Sequence, residues 1–377
     1  MKFSRLWAVA HKELLHILRD PRSLAMGVAI PMLLLVLFGY ALTLDVDDVP
    51  LVVWDQSETP ASRELLSGFQ GSRYFSLRAY VHGYDEIERA IDHGEALMAV
   101  VVPAELGRAT AGDPAPTVQI LVDGSDSNTA ALAIGYGESV VRRWSQEIAL
   151  ERLGRRGGQT LALPLEMRPR VWFNADMESK NYIIPGLIAV IMMVIAALLT
   201  SLTVAREWET GTMEQVISTP LKGTELVLGK FLPYFGIGLL DVLLAVLMGA
   251  FVFDVPLRGS ILLLFAMAAV FLTGALALGL VISIVTKGQL LASQLAMVLT
   301  FLPAFLLSGF MYDIGNMPRP IQVITHLVPA RYFVTLLKGI YLKGVGLEIL
   351  APEALLLAVF SAVMLFIATR KFRKNLE

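Results

Sequence analysis

Residues 182–221 read YIIPGLIAVIMMVIAALLTSLTVAREWETGTMEQVISTPL, and the change of character at residue 206 decides how this part of the chain folds. Residues 182–205 are uncharged and mostly apolar. As a helix they are long enough to cross about 30 Å of hydrocarbon. A membrane-spanning helix is therefore predicted here, with a polar segment directly after it.

The polar segment carries Glu207, Glu209 and Glu214. On one helix, Glu207 and Glu214 would lie two turns apart on the same face. Gly211 indicates a bend and Pro220 a stop, so we predict a short charged helix against the membrane surface. A solvated connection between two spans is the simpler alternative for such a charge run.

The composition indicates that the whole chain is an integral membrane protein. Of its 377 residues, 55% are hydrophobic and 17% are charged, and the mean hydropathy is +0.64. A soluble protein has fewer apolar and more charged residues. The lack of cysteine excludes disulfides, thiolate metal sites and cysteine nucleophiles. The five histidines are scattered, so no metal site is predicted, and no catalytic constellation is predicted either.

Six segments are apolar and long enough, or nearly so, to cross a bilayer. They are residues 23–44, 182–205, 231–253, 260–285, 290–312 and 353–369. The predicted fold class is a polytopic α-helical membrane protein with six transmembrane helices and an α/β extracytoplasmic domain inserted between helices 1 and 2. The last five helices lie within residues 181–377.

The placement of lysine and arginine predicts that both chain ends lie in the cytoplasm. Residues 1–22 carry five of these cations and the last eight residues carry four. A loop at 206–230 is then cytoplasmic, and residues 45–180 lie outside. Four further cations, Arg319, Arg331, Lys338 and Lys343, fall on the outer side in this arrangement. We therefore expect an amphipathic or re-entrant hairpin between the last two spans.

The insert at residues 45–180 is predicted to be a domain, because it is long enough for a core of its own. Strands are predicted at 51–54, 74–81, 96–102 and 117–122, and helices at 60–69, 84–92, 103–111 and 129–153. This alternation predicts a largely parallel α/β sheet followed by a long helix.

Residues 1–22 are predicted to contain a cytoplasmic amphipathic helix that lies in the membrane interface. Its apolar stripe consists of Phe3, Leu6, Trp7, Ala10, Leu14 and Leu18. Arg5, Lys12 and Arg19 occupy the other faces, where cations meet anionic lipid.

The chain lacks a usable phosphate loop. Residues 223–230 resemble one, but five residues rather than four separate the glycines, and Phe231 stands where serine or threonine binds magnesium. Ion coupling is weakly supported, because Asp241 is the one acid in the predicted third span. Asp241 is either a contact for cargo or a structural acid satisfied by neighbouring hydroxyl groups.

These features together resemble an ABC-2 type transporter permease, and most closely the bacterial drug-efflux-like branch with an extracytoplasmic domain. The likeness rests on the basic amphipathic start with Lys12-Glu13, on the large insert after the first span, and on the run 206–220 followed by Gly229-Lys230. It covers nearly the whole chain.

The resemblance implies half of an exporter in a bacterial inner membrane. It would move a hydrophobic or amphiphilic substrate, drug-like or lipid-like, out of the cytoplasm or the inner leaflet. The implied partners are a second permease copy or a paralogue and ABC ATP-binding subunits that hold ATP and Mg. Membrane lipid and a periplasmic adaptor are further expected partners, the adaptor because the external domain is long; nucleic acid is not expected. The residues implied in ATPase coupling are Lys12, Glu13, Glu207, Glu209, Gly211, Thr212 and Glu214.

A substrate pathway through the spans would use adaptable methionines and bulky aromatic rings. The candidates are Asp241, Met192, Met193, Phe301, Phe305 and Phe310. Ordinary helix packing and lipid contact are the competing interpretation of each.

Two other classes of function remain open at this point. A membrane-anchored receptor or scaffold would bind its ligand through the external domain and need no ATPase. An ion-coupled secondary carrier would follow an ion gradient and require Asp241.

Overall fold

The computed structural model of the chain describes residues 2–42, 48–106, 116–155, 173–174 and 178–372. The chain forms two compact units. One combines Met1–Thr43 with Arg170–Glu377, and the other is Leu44–Pro169.

The first of these, called the helical unit, contributes the elements at both ends of the chain, and the second is inserted between them. In order they are α1 (Phe3–Arg19), α2 (Pro21–Leu24), a π-helical turn (Ala25–Ala29), α3 (Ile30–Ala41), β1 (Val49–Asp55), α4 (Pro60–Gln70), β2 (Phe75–Tyr80), α5 (Tyr84–Asp92), β3 (Met98–Val102), β4 (Gln119–Val122), α6 (Ser127–Arg155), α7 (Ser179–Glu209), α8 (Thr212–Ser218), α9 (Gly223–Phe251), α10 (Ile261–Thr286), α11 (Gln289–Leu307), a 3-10 turn (Ile314–Asn316), α12 (Arg319–Thr325), α13 (Pro329–Lys338), a second π-helical turn (Gly339–Lys343) and α14 (Leu347–Lys371).

Among the described residues, five helices are long and apolar enough to cross a membrane: α7, α9, α10, α11 and α14. The predicted first span, 23–44, corresponds to α2, the π-helical turn and α3, of which Ala25–Ala41 is a shorter apolar helix. Its last predicted residues lie outside the described part.

Helix α7 is the centre of the helical unit. It packs against α3, α9, α10, α11 and α13, and nearly all of its side chains are buried. The approach of α10 is close, because a Cβ on Gly279 would lie 2.1 Å from the Thr200 Oγ1. That hydroxyl donates to the Leu276 carbonyl at 2.9 Å. Small residues and a hydroxyl bond between helices are the usual means of tight association in a membrane.

Helix α11 packs on α7 through a stripe of small residues, Ala292, Ala296, Thr300 and Ala304, one turn apart from each other. Pro303 lies inside α11, which continues to Leu307. Ser308 caps the helix, and Gly309 follows with φ +78°. The prediction that the fifth span reaches residue 312 is therefore wrong, because a left-handed glycine ends the helix earlier.

The segment between α11 and α14 turns back into the helical unit. Helix α13 packs against α7, α10 and α14, with Tyr332, Phe333 and Leu337 buried. The Phe333 ring stacks on Phe271 at 4.1 Å between centroids. This burial agrees with a re-entrant hairpin. The last span begins at Leu347, so Pro352 lies inside α14, and the predicted start at 353 is wrong.

The Leu44–Pro169 unit is an α/β fold with one four-stranded sheet in the order β2-β1-β3-β4. Strand β1 is parallel to β2 and β3, whereas β4 is antiparallel to β3. The sheet is thus largely parallel as predicted, with the fourth strand reversed. Of the helix predicted at 103–111, residues 104–106 form a turn and the rest lie outside the described residues.

Candidate functional site

The candidate site lies where the C-terminal end of α7 meets α1, α8 and the start of α9. Helix α1 packs along α9, with Leu6, Val9 and Ile17 buried. A Cβ on Gly229 would lie 2.7 Å from the Val9 Cβ, so glycine permits this approach. Trp7 and other bulky members of the predicted stripe are exposed instead.

The two faces of α1 correct the sequence prediction. The predicted stripe divides: Leu6 and Ala10 are buried against the helical unit, while Phe3, Trp7, Leu14 and Leu18 remain exposed. The buried face also includes Glu13, an acid that no lipid-facing stripe would contain. Helix α1 therefore has one protein-facing and one free apolar face.

Four charged groups from three helices form one ionic cluster. The Lys230 Nζ on α9 lies 2.8 Å from the Glu13 Oε1 on α1 and 3.0 Å from the Glu207 Oε1 on α7. Lys12 donates to the same Glu207 oxygen at 3.1 Å. The side chain of Lys230 is 1% exposed, and those of Glu13 and Glu207 are 7% and 9% exposed. Two cations and two anions thus balance, with Lys230 and both carboxylates buried and the Lys12 side chain 61% exposed.

Arg206 extends this ionic contact to further helices. Its Nη1 lies 3.6 Å from the Asp20 Oδ2 and donates to the His16 Nε2 at 2.7 Å. Its Nε donates to the Gln289 Oε1 at 3.4 Å. The end of α7 is therefore tied to α1 on one side and to the start of α11 on the other.

A sharp elbow joins α7 to α8. Helix α7 ends at Glu209, and Gly211 adopts φ +72° before α8 begins at Thr212. Only glycine occupies this left-handed region without strain. The Thr210 hydroxyl closes the end of α7 by donating to the Arg206 carbonyl at 2.8 Å, and it lies 3.1 Å from the Thr212 hydroxyl.

The three glutamates of the polar run have three different environments. Glu207 is buried in the ionic cluster. Glu209 is exposed and accepts from the Gln289 Nε2 at 2.6 Å, which places its charge at the N-terminus of α11. Glu214 is exposed on α8. The predicted common face for Glu207 and Glu214 is wrong, because the elbow at Gly211 separates them onto two helices.

A cavity of about 580 Å³ lies beside the ionic cluster. Its walls come from α1, α7, α8 and α9, and they include Lys12, Glu207, Thr212, Lys230 and Tyr234. The elbow therefore borders open space on one side, while Met213 anchors α8 in the hydrophobic core of the helical unit.

The sequence of this chain is similar to those of known transport proteins. Residues 21–370 match the family described as ABC-2 family transporter protein. The chain belongs to this family. An ABC-2 permease is a transmembrane transport protein, which agrees with the long apolar helices of the helical unit.

Three relatives that match this ABC-2 permease over most of their length are bacterial. It is similar to the Probable multidrug ABC transporter permease YbhS of Escherichia coli (strain K12), with 37% identity over 97% of this chain and 95% of that protein. It is also similar to the Probable multidrug ABC transporter permease YbhR of the same strain, with 30% identity over 99% of each chain. A third relative is the Inner membrane transport permease YhhJ of that strain, 26% identical over 87% of this chain and 86% of that protein.

The candidate pathway residues of the permease differ in burial, since Phe310 is buried whereas Phe301 and Phe305 are half-buried. Met192 and Met193 are buried in α7. The rings of Phe301 and Phe305 stack at 5.7 Å between centroids, and Phe305 meets Phe310 edge-on at 5.8 Å. None of these residues lines the cavity beside the ionic cluster. They form packed contacts in this conformation rather than an open passage.

Asp241 lies within α9 and is 1% exposed. Its Oδ1 has no hydrogen-bond partner among the described residues. Of the two alternatives for Asp241, a structural acid satisfied by neighbouring hydroxyl groups therefore finds no such donor for this oxygen.

The sequence pattern assigns no role to two residues of the site, Lys230 and Arg206. Arg206 begins the polar run 206–220, and Lys230 belongs to the Gly229-Lys230 pair that follows it. The usable signal was charge: Lys230 is a lone cation followed by an apolar span, and a buried cation requires an acid. The identity of that acid depended on the packing of α1, which the sequence does not fix.

Proposed function

We propose that this ABC-2 permease is the membrane-spanning half of an exporter driven by a separate ATP-binding subunit. Six spans are proposed, with residues 21–41 as the first, because 21 helical residues extend about 30 Å. Both chain ends and the ionic cluster then lie in the cytoplasm, and the α/β unit lies outside an inner membrane. The even number of spans and the cationic chain ends support this topology.

The observation that carries the proposal is the connection of an exposed helix to a clamped one. Helix α8 presents Glu214 to solvent, and a two-residue elbow joins α8 to α7, the most buried helix of the unit. The ionic cluster fixes the base of α7 to α1 and α9. Force applied to α8 therefore reaches three helices of the unit together.

This arrangement suits a two-state transport cycle. An ATP-binding subunit that docks on α8 and changes shape with nucleotide would bias the spans between inward-facing and outward-facing packings. ATP and Mg would be bound by that partner. Glu214 and Thr212 are proposed to contact it, whereas Glu207, Glu13 and Lys12 are proposed to transmit its motion.

A second permease copy or paralogue is proposed to complete the pathway. Helices α11 and α14 are the least buried of the five long helices in the single chain. The exposed side chains of α11 include Leu290, Met297 and Leu299. An apolar surface of this kind is covered either by lipid or by a partner helix.

The proposed cargo is hydrophobic or amphiphilic. The names of YbhS and YbhR describe probable multidrug permeases, and the row of Phe301, Phe305 and Phe310 offers an apolar surface if the spans separate. A periplasmic adaptor would bind the α/β unit if the pathway continues beyond the membrane.

Gentle solubilisation from native membranes tests the proposal. We expect a P-loop ATPase to co-purify in about a one-to-one ratio and to be lost from Glu214→Arg. Glu95→Arg is the matched control, because Glu95 is an exposed glutamate in the α/β unit. Recovery of no ATPase, under conditions where a known transporter keeps its own, would contradict the proposal and favour a receptor.

A further inference from the structure

A second cavity, of about 540 Å³, lies at the opposite end of the helical unit from the ionic cluster. Tyr182 on its wall is 25 residues before Glu207 on α7, which is a distance of ~38 Å along a helix. The other walls come from the end of α11, from α13 with the π-helical turn after it, and from the start of α14.

Lys338 is the charged group at the centre of this outer cavity. Its Nζ donates to the Gly309 carbonyl at 2.8 Å and lies 3.5 Å from the centroid of the Tyr182 ring. The ring is held in place, since the Tyr182 hydroxyl donates to the Phe310 carbonyl at 3.0 Å. An ammonium has three N–H bonds, so one donor remains after the carbonyl and the ring.

Among the described residues, no carboxylate forms an ion pair with Lys338, whose amine contacts the Gly309 carbonyl and the Tyr182 ring. Burial lowers the pKa of Lys338 to about 7, although the charge of Asp313 opposes this shift. An ammonium in such a setting is stabilised by a bound anion. This contrasts with Lys230, which has two carboxylates within hydrogen-bond distance.

The charged rim of the cavity is balanced. Lys343 adds a second cation, and Asp313 and Glu353 add two acids. A doubly charged inorganic phosphate would be attracted by the lysines but repelled by the carboxylates, so its net binding energy would be small. A ligand with a phosphate next to an amine would pair the phosphate with the lysines and the amine with the carboxylates. Apolar side chains complete the wall, and Ile349 among them is 67% exposed. The cavity wall therefore combines charged and apolar side chains.

We propose that the outer cavity binds the zwitterionic headgroup of a phosphate-bearing amphiphile, with the phosphate on Lys338 and the apolar chain along Ile349. The amine of the headgroup would face Asp313 and Glu353. This site does not depend on the proposed export function, because its occupancy is measured without ATP or a partner subunit.

Native mass spectrometry of the detergent-solubilised full chain tests the site. The probe is a short-chain phosphatidylethanolamine added at increasing concentration. We expect Lys338→Gln to weaken binding about tenfold, as for the loss of one charge-assisted contact. Lys180→Gln is the matched control, since Lys180 lies two residues before Tyr182 and already pairs with Glu178 at 3.3 Å. Control binding should equal that of the unmodified chain.

Further arms keep the test decisive. Lys343→Gln removes an exposed rim cation and should weaken binding severalfold without affecting the fold. Diacylglycerol should not bind at the site, and soluble phosphoethanolamine should not compete at concentrations where the lipid does. Equal lipid binding by all three lysine variants would overturn the proposal. Full competition by soluble phosphoethanolamine or by inorganic phosphate would also overturn it and identify a site for a soluble anion.

Discussion

Replacement of Lys230 by methionine is the sharpest perturbation of the ionic cluster. The side chain of Lys230 is 1% exposed and neutralises the carboxylates of Glu13 and Glu207. In the variant, Glu13 loses its 2.8 Å partner, and the nearest remaining cation is Lys12 at 4.0 Å. Removal of one partner from a buried ion pair costs about 3–5 kcal/mol.

That cost predicts a fall in melting temperature of about 6–10 °C, at roughly 2 °C per kcal/mol for a unit of this size. Scanning fluorimetry of the detergent-solubilised protein measures it. The double variant Lys230→Met with Glu13→Gln should recover most of the loss, because Lys12 and Glu207 remain paired at 3.1 Å. Lys222→Met is the control, since Lys222 is exposed at the start of α9, the helix that carries Lys230. If Lys230→Met and Lys222→Met have the same melting temperature, the reasoning about the cluster is refuted.

Three further predictions concern other contacts of the helical unit. Gly229→Val should detach α1 and increase tryptic cleavage at Arg19. Gly236→Val should not, because a Cβ at Gly236 would have no atom within 4 Å. Equal rates of digestion of the two variants would contradict the packing of α1 on α9. Gly211→Ala should impair ATP-dependent transport because a left-handed alanine costs about 1–2 kcal/mol. Gly211→Asn should retain more transport activity. Equal loss of activity in both variants would contradict the role of the left-handed elbow. The pKa of Lys338 is lowered to about 7, whereas the unfolded side chain keeps its proton to about pH 10.4. The unfolded state therefore binds more protons between these values, so Lys338 makes stability rise with pH across that window. Lys338→Met should flatten the rise in melting temperature between pH 7 and 9, and an unchanged slope would assign it to other groups.

Much of the fold follows from local sequence patterns. The helices predicted at 60–69 and 84–92 correspond to α4 and α5, because proline or acidic residues begin them and regular apolar spacing continues them. The long apolar runs predict the spans, since hydrocarbon requires continuous backbone hydrogen bonding.

The remaining features depend on contacts that no local pattern encodes. Glu207 and Glu214 have the same chemistry, but the elbow at Gly211 separates them, so that Glu207 lies against Lys230 and Glu214 is exposed. Pro352 indicates a helix start by local rules, yet α14 continues through it while packing on α10 and α13. The antiparallel direction of β4 likewise follows from its pairing with β3, which the apolar pattern of a strand does not specify.

Cross-linking from α8 tests the central claim most directly. The chain has no cysteine, so Ser218→Cys carries a unique thiol at the exposed end of α8 and leaves Glu214 in place. A photoreactive label at this thiol should capture a P-loop ATPase in native membranes, with a yield that changes when ATP is added. The same label at Glu95→Cys in the α/β unit should not. Capture of no ATPase from Ser218→Cys, or equal capture from both positions, would contradict the account.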